Sequence, residues 1–302
     1  MIDLNSTQST DSGREAMDQT VGSDYDLGTQ TTSSLLDSID SNWRPSTPLP
    51  SFECHENPTI NQKLRDLAFR HETQSKEIKR LCQLEKFKIV VLCDDSGSMM
   101  ETVGGSSRSR WEELREIVKL VVAIGSIFDT NGVNIRFLNC KDRYTIKDPD
   151  EINRLFAGEP KGYTPLVRSV REILKLPVTA ANSDKKLLLF IATDGYPTDA
   201  NGVPNLSEFE HVMRNERKSD TTYVSFLMCT DDQECVDYLS NFSRTMANID
   251  VTGDFNTERM NIRRERGAKF PFSKGDYITK VLVGAISREK VPSNEPDNAN
   301  NS

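Results

Sequence analysis

Three short segments carry residue types that do chemistry. The first, DDSGSM, sets Asp94, Ser96 and Ser98 at alternate positions, with Gly97 between the serines. A carboxylate and two hydroxyls are hard oxygen donors, and a loop tightened at Gly97 can turn them toward one point. Such a set suits magnesium, which takes six oxygens at roughly 2.0–2.1 Å and keeps several waters. Ser and Asp also gather in helix caps and Asx turns, so the segment alone does not decide between the two roles. The second segment, GYTPL, sets Thr164 directly before Pro165. A helix whose first turn holds Pro165 makes Thr164 its N-cap, a role that does not exclude metal ligation. The third, ATDGYPTD, closes an apolar run with Asp194 and turns away at Gly195. Asp199, further along, reads as solvated surface.

The elements that must position these loops follow from patterning. FKIVVLC (87–93) and KLLLFIAT (186–193) are continuous apolar runs suited to strands buried on both faces. YVSFLMCT (223–230) and VNIRFLN, which follows the Asn131-Gly132 turn, add two more strands; 144–146 and 249–252 add short ones. Between them, Ser109 and Glu112 have the spacing of a capping box, and Ile117, Leu120, Val121, Ile124 and Phe128 give the next helix an apolar stripe. Further helices are predicted over PDEINRLFA, PLVRSVREILKL, 205–218, 232–246 and 277–286. Strands alternating with helices imply a doubly wound, mostly parallel sheet with helices on both faces. Ligands in such sheets sit at the carboxyl ends of strands, where Asp94 and Asp194 fall.

Taken together, DxSxS, a Thr in a GxTPL context and a TDG loop resemble the von Willebrand factor type A domain and its metal-ion-dependent adhesion site. The resemblance covers about Phe87 to Ile286, and all five motif positions are present. It implies a six-stranded, mostly parallel sheet with one short antiparallel edge strand. It implies too that Asp94, Ser96 and Ser98 contact a metal directly or through water, with Thr164 and Asp194 completing the set. The DDSGSM loop and the stretch from Asn248 to Ile286 further resemble a subset of intracellular eukaryotic members.

This constellation reads as a binding site rather than a catalytic one. Two carboxylates leave a divalent ion net positive, with a water-held position that an Asp or Glu of a protein partner can take. The expected function is therefore metal-dependent protein binding through Mg2+ (or Mn2+), without catalysis. The alternatives are a metal-assisted hydrolase or phosphotransferase using the same site, and an interaction protein in which the metal is incidental. Ser96 lacks a histidine base, since His55, His71 and His211 fall in the N-terminal region or on a polar helix. Gly104-Gly105-Ser106-Ser107 lacks the lysine of a phosphate-binding loop.

The remaining composition bounds the setting. Net charge is −8 with no basic stripe, which argues against nucleic acid as a partner. No apolar stretch is long enough to span a membrane. Six cysteines without a CxxC pair are expected to be free thiols in a cytoplasmic protein. Residues 1–57 are polar and expected to be disordered, 58–86 to form a helical lead-in, 87–286 the domain, and 287–302 a disordered tail.

Overall fold

The computed structural model describes residues 55–102, 107–179, 183–230 and 232–287, all within one compact unit. The expected disordered stretches therefore lie outside the described residues, apart from 55–57 and Ser287. Residues 55–57 are ordered: the Asn57 side chain caps helix α1 (Pro58–Arg70), and His55 Nε2 lies 3.0 Å from Glu85. The lead-in continues as α2 (Ser75–Leu81) and a 3-10 turn, Cys82–Lys86.

Strand β1 (Phe87–Cys93) runs into the DDSGSM loop, and α3 (Arg110–Phe128) follows behind the capping box of Ser109 and Glu112. Next come β2 (Val133–Phe137), the edge strand β3 (Arg143–Ile146) and the short α4 (Ile152–Leu155). Helix α5 (Leu166–Leu174) leads to β4 (Lys186–Thr193), then α6 (Leu206–His211) with a π turn over Val212–Glu216. The chain closes with β5 (Thr222–Met228), α7 (Gln233–Thr245), β6 (Ile249–Thr252), α8 (Phe255–Arg266) and α9 (Lys274–Ser287).

The six strands form one sheet in the order β3-β2-β1-β4-β5-β6, parallel except for the β2–β3 pair. This is the doubly wound α/β architecture expected. Alternation along the strands sends side chains to opposite faces. Ile89, Val91, Ile135, Leu188 and Phe190 pack in one core with α1–α4 and α9. Val90, Leu92, Leu189, Ile191 and Phe226 pack in the other with α5–α7. Both faces are covered, which is why β1 and β4 read as unbroken apolar runs.

Three details differ from expectation. The buried stripe of α3 is Leu114, Val118, Val121, Val122 and Ile124, with Gly125; Ile117, Leu120 and Phe128 are only partly buried. Gly125 lets α3 approach β2, since a Cβ there would meet Val133 at 2.5 Å. Thr164 is not a side-chain cap: α5 starts after Pro165, whose position makes no side-chain cap bond. Helix α8 was not anticipated because its stripe is nearly absent, with only Glu258 buried along it.

Cys93, Cys140, Cys229 and Cys235 are free, but Cys82 is disulfide-bonded, which corrects the expectation of free thiols throughout. Such pairing depends on which residues the fold brings together, and spacing along the chain does not reveal it. Cys54 lies outside the described residues. Among the described residues no helix is long and apolar enough to cross a membrane.

Candidate metal site

The sheet order reverses between β1 and β4, whose carboxyl ends lie side by side with Cys93 opposite Ala192. Asp94 and Asp194 leave these two strands, at the switch point where α/β sheets place their ligands. The backbone N–H of Asp94 donates to Ala192 O at 2.9 Å, tying the root of the first loop to β4.

Asp94 is fully buried. One of its carboxylate oxygens accepts the Ser96 N–H at 2.9 Å, and the other accepts the Thr193 hydroxyl at 2.6 Å. The Ser96 and Ser98 hydroxyls are 3.2 Å apart, and Ser98 Oγ donates to Asp194 Oδ1 at 3.0 Å. Four expected residues thus form one hydrogen-bonded chain across the switch point. Thr164 stands at its edge. A Cβ on Gly195 would lie 3.2 Å from Thr164 Oγ1, so glycine there permits the approach of the two loops. The Thr164 backbone is clamped to the third loop, its N–H donating to Thr198 Oγ1 and its carbonyl accepting from Thr198 N, both at 3.0 Å.

The loops brace one another. Lys161 N donates to Asp95 O at 2.7 Å and Gly97 N to Gly162 O at 3.3 Å. Asp95 turns to the β2 side, where its carboxylate accepts the Asn139 N–H at 2.8 Å and the Asn139 amide at 3.0 Å. Gly162 has φ +106°, a conformation that favours glycine, and a Cβ there would meet Asn139 at 2.7 Å. Asp199 is half-buried rather than fully solvated, and accepts the N–H groups of Asn201 and Val203 to close its own turn.

Sequence reasoning missed Arg110. It occupies the first position of α3, where a cation opposes the helix dipole. The residue is buried, and its Nη1 lies 2.8 Å from Asp194 Oδ2 and 3.3 Å from Ser98 O. An arginine directly after the Ser109 cap, against the dipole, was the signal for a partner close by. Thr193 was missed as well, read only as the end of an apolar run.

The electrostatics follow from burial. Loss of water pushes the Asp94 carboxyl up to about 7, the Asp194 charge adding to the effect, while the bonds from Ser96 and Thr193 oppose it. Burial also raises Asp194, against the lowering effect of Ser98 and Arg110. Two buried carboxylates share the cluster, with Arg110 paired to Asp194, and a site of that kind gains from a further positive charge.

The donor chemistry fits a hard divalent cation. Among the described residues no three His, Cys, Asp or Glu side chains gather as a metal-holding group, so the oxygens beyond the two carboxylates are those of Ser96, Ser98 and Thr164. Such hard ligands suit magnesium or manganese over zinc or copper. None of the three histidines bonds to Ser96 among the described contacts; His55 pairs with Glu85 and His211 with Asn215.

Comparison with known proteins adds little. No protein-family profile matches the chain, and no curated protein is similar enough to match. The structures that resemble it include the pilus adhesin SpaC from Lactobacillus rhamnosus GG, at 16% identity and a TM-score of 0.40. An open conformation of the same adhesin matches at 14% identity and a TM-score of 0.38. The alignments cover 65% of this chain but only 31% and 30% of those chains.

Proposed function

We propose that the protein is a metal-dependent protein-binding module of the von Willebrand factor type A kind. Asp94, Ser96, Ser98, Thr164 and Asp194 would hold Mg2+, or Mn2+ in its place, and an Asp or Glu carboxylate of a protein partner would complete the coordination. The observation that carries this reading is the chain of bonds from Thr193 through Asp94, Ser96 and Ser98 to Asp194. It gathers hard oxygens from two loops at the switch point, as the five-residue motif requires.

The residues divide the work. Thr193 and the Ser96 N–H fix both oxygens of Asp94 in place, and Arg110 and Ser98 do the same for Asp194. When bound, the ion supplies a fixed positive charge for the incoming carboxylate. Among the described residues no histidine bonds to this cluster, which favours capture over turnover.

We propose a cytoplasmic setting, which the four free cysteines among the described residues support; the Cys82 disulfide is the observation that speaks for an oxidising compartment. The binding reading is tested by capture of partners on wild type in Mg2+, release with EDTA, and replacement of candidate Asp and Glu residues on the partner. Binding indifferent to both treatments leaves the fold without the mechanism.

A further inference from the structure

A second feature lies between β2, the loop after it and α5. Here a cavity of about 470 Å³ opens, lined by Arg136, Lys141, Asp142, Arg143, Arg168 and Glu172 among others. Its volume lies within the range of small-molecule sites, roughly 300–1,000 Å³. Four lining side chains are cationic and two are acidic.

Arg136 is the unusual member. It projects from β2 and is 6% exposed, as buried as a core residue. Among the described residues its one hydrogen bond runs from Nε to the Asn134 side-chain oxygen at 3.0 Å, with no ion pair to a carboxylate and no bond from its terminal nitrogens. The fold treats another buried arginine differently. Arg217 donates Nε to Met213 O, Nη1 to Thr222 O and Nη2 to Ala247 O, all within 3.2 Å. A guanidinium stays charged in a protein, and the terminal nitrogens of Arg136, which are not among the buried atoms left without a partner, open on the cavity rather than on protein acceptors. Burial, and Arg143 nearby, hold the Arg136 pKa below its usual value, while the Glu172 carboxylate across the cavity opposes them.

Around Arg136 stand cations held loosely enough to take part. Arg143 and Glu172 are 3.8 Å apart and both exposed, a pair of little strength in water. Arg168 is anchored through Nη2 to Leu138 O at 2.8 Å, which fixes its stem beside the cavity. A planar guanidinium fork with free N–H groups matches an oxyanion two bonds at a time.

We propose that this cavity binds a small oxyanion-bearing molecule, a phosphate ester or a carboxylate, with Arg136 as the floor ligand and Arg143 and Arg168 at the rim. The site is independent of the metal reading, because none of these side chains bonds to Asp94, Ser96, Ser98, Thr164 or Asp194.

The test is a thermal-shift and calorimetric titration of the full chain in EDTA, so that metal binding plays no part. The probes are inorganic phosphate and succinate, with sodium chloride at matched ionic strength as control. A saturable stabilisation by either probe is expected, and the stronger of the two identifies the anion class. Arg136→Met should weaken that affinity at least tenfold while keeping a cooperative melt, because it removes the floor cation and keeps an unbranched stem of similar length. Arg143→Gln, an exposed change that leaves the fold intact, should weaken it severalfold. No response beyond the chloride control, or responses of equal strength in wild type and both variants, would overturn the proposal. If Arg136→Met fails to fold, an unchanged affinity in Arg143→Gln and Arg168→Gln together overturns it.

Discussion

Replacing Asp94 by Asn in the metal-free protein should stabilise it, although Asp94 sits at the centre of the site. Asp94 is wholly buried, and its carboxyl is raised from an ordinary 3.8 to about 7. The folded state thus holds the proton more tightly than the unfolded chain. The stability this contributes is fully present below about pH 3.8 and is lost as pH rises through about 7. At about 1.4 kcal/mol per pH unit, that separation corresponds to about 4 kcal/mol between the acidic and alkaline plateaus. An Asn side chain is neutral throughout and escapes this cost. It has one acceptor oxygen where Asp94 uses two, for Ser96 N–H and the Thr193 hydroxyl, and the mismatch costs about 1–2 kcal/mol. The net expectation at pH 8 in EDTA is a gain of about 2 kcal/mol, or about 4–8 °C in melting temperature for a unit of this size. Near pH 4 the gain should vanish. Saturating Mg2+ should reverse the order, because only the wild type would be stabilised by the ion. Urea melts at pH 4 and pH 8, with EDTA and with Mg2+, read all four states. An Asn variant equally destabilised at both pH values in EDTA would refute the electrostatic reasoning.

Further outcomes follow from the same geometry. Arg110→Gln should raise Mg2+ affinity severalfold by calorimetry, because it removes a cation 2.8 Å from Asp194 Oδ2 while keeping a hydrogen-bond donor; weaker binding would mean that Arg110 is needed to position Asp194. Mg2+ affinity should fall as pH drops below about 7, since a proton competes for Asp94, and a pH-independent isotherm would contradict that competition. Gly195→Ala should weaken the metal site with little loss of stability, because the new Cβ meets Thr164 Oγ1 at 3.2 Å; circular dichroism separates the two effects. Thiol titration of the denatured, non-reduced protein should miss Cys82, and recovery of all six thiols would remove the disulfide.

Much of the sheet was legible because burial on both faces leaves a strong mark. The apolar runs 87–93 and 186–193 coincide with β1 and β4 to the residue. Once two parallel strands are placed, the residues after them must share an edge, and so Asp94 and Asp194 could be paired from the sequence. What patterning missed depends on tertiary approach. The α3 stripe is rotated toward Val118 and Gly125 because the helix lies close to β2 at Val133, a contact no helical periodicity encodes. Thr164 has the sequence of an N-cap, yet its backbone is taken up by Thr198 from another loop. Arg110 and Arg136 look like ordinary surface cations, and only the fold shows one bonded to a carboxylate and the other turned into a cavity.

The central claim is that the Asp94 cluster holds one divalent ion with a coordination position open to a carboxylate. Water-proton relaxation with Mn2+ tests it most directly, since a bound ion that keeps exchangeable water enhances relaxation. The account predicts one saturable, relaxation-enhancing site in the wild type, lost in Asp94→Ala, with the enhancement falling when an Asp-containing peptide is added. No enhancement in the wild type, or an equal one in Asp94→Ala, would contradict it.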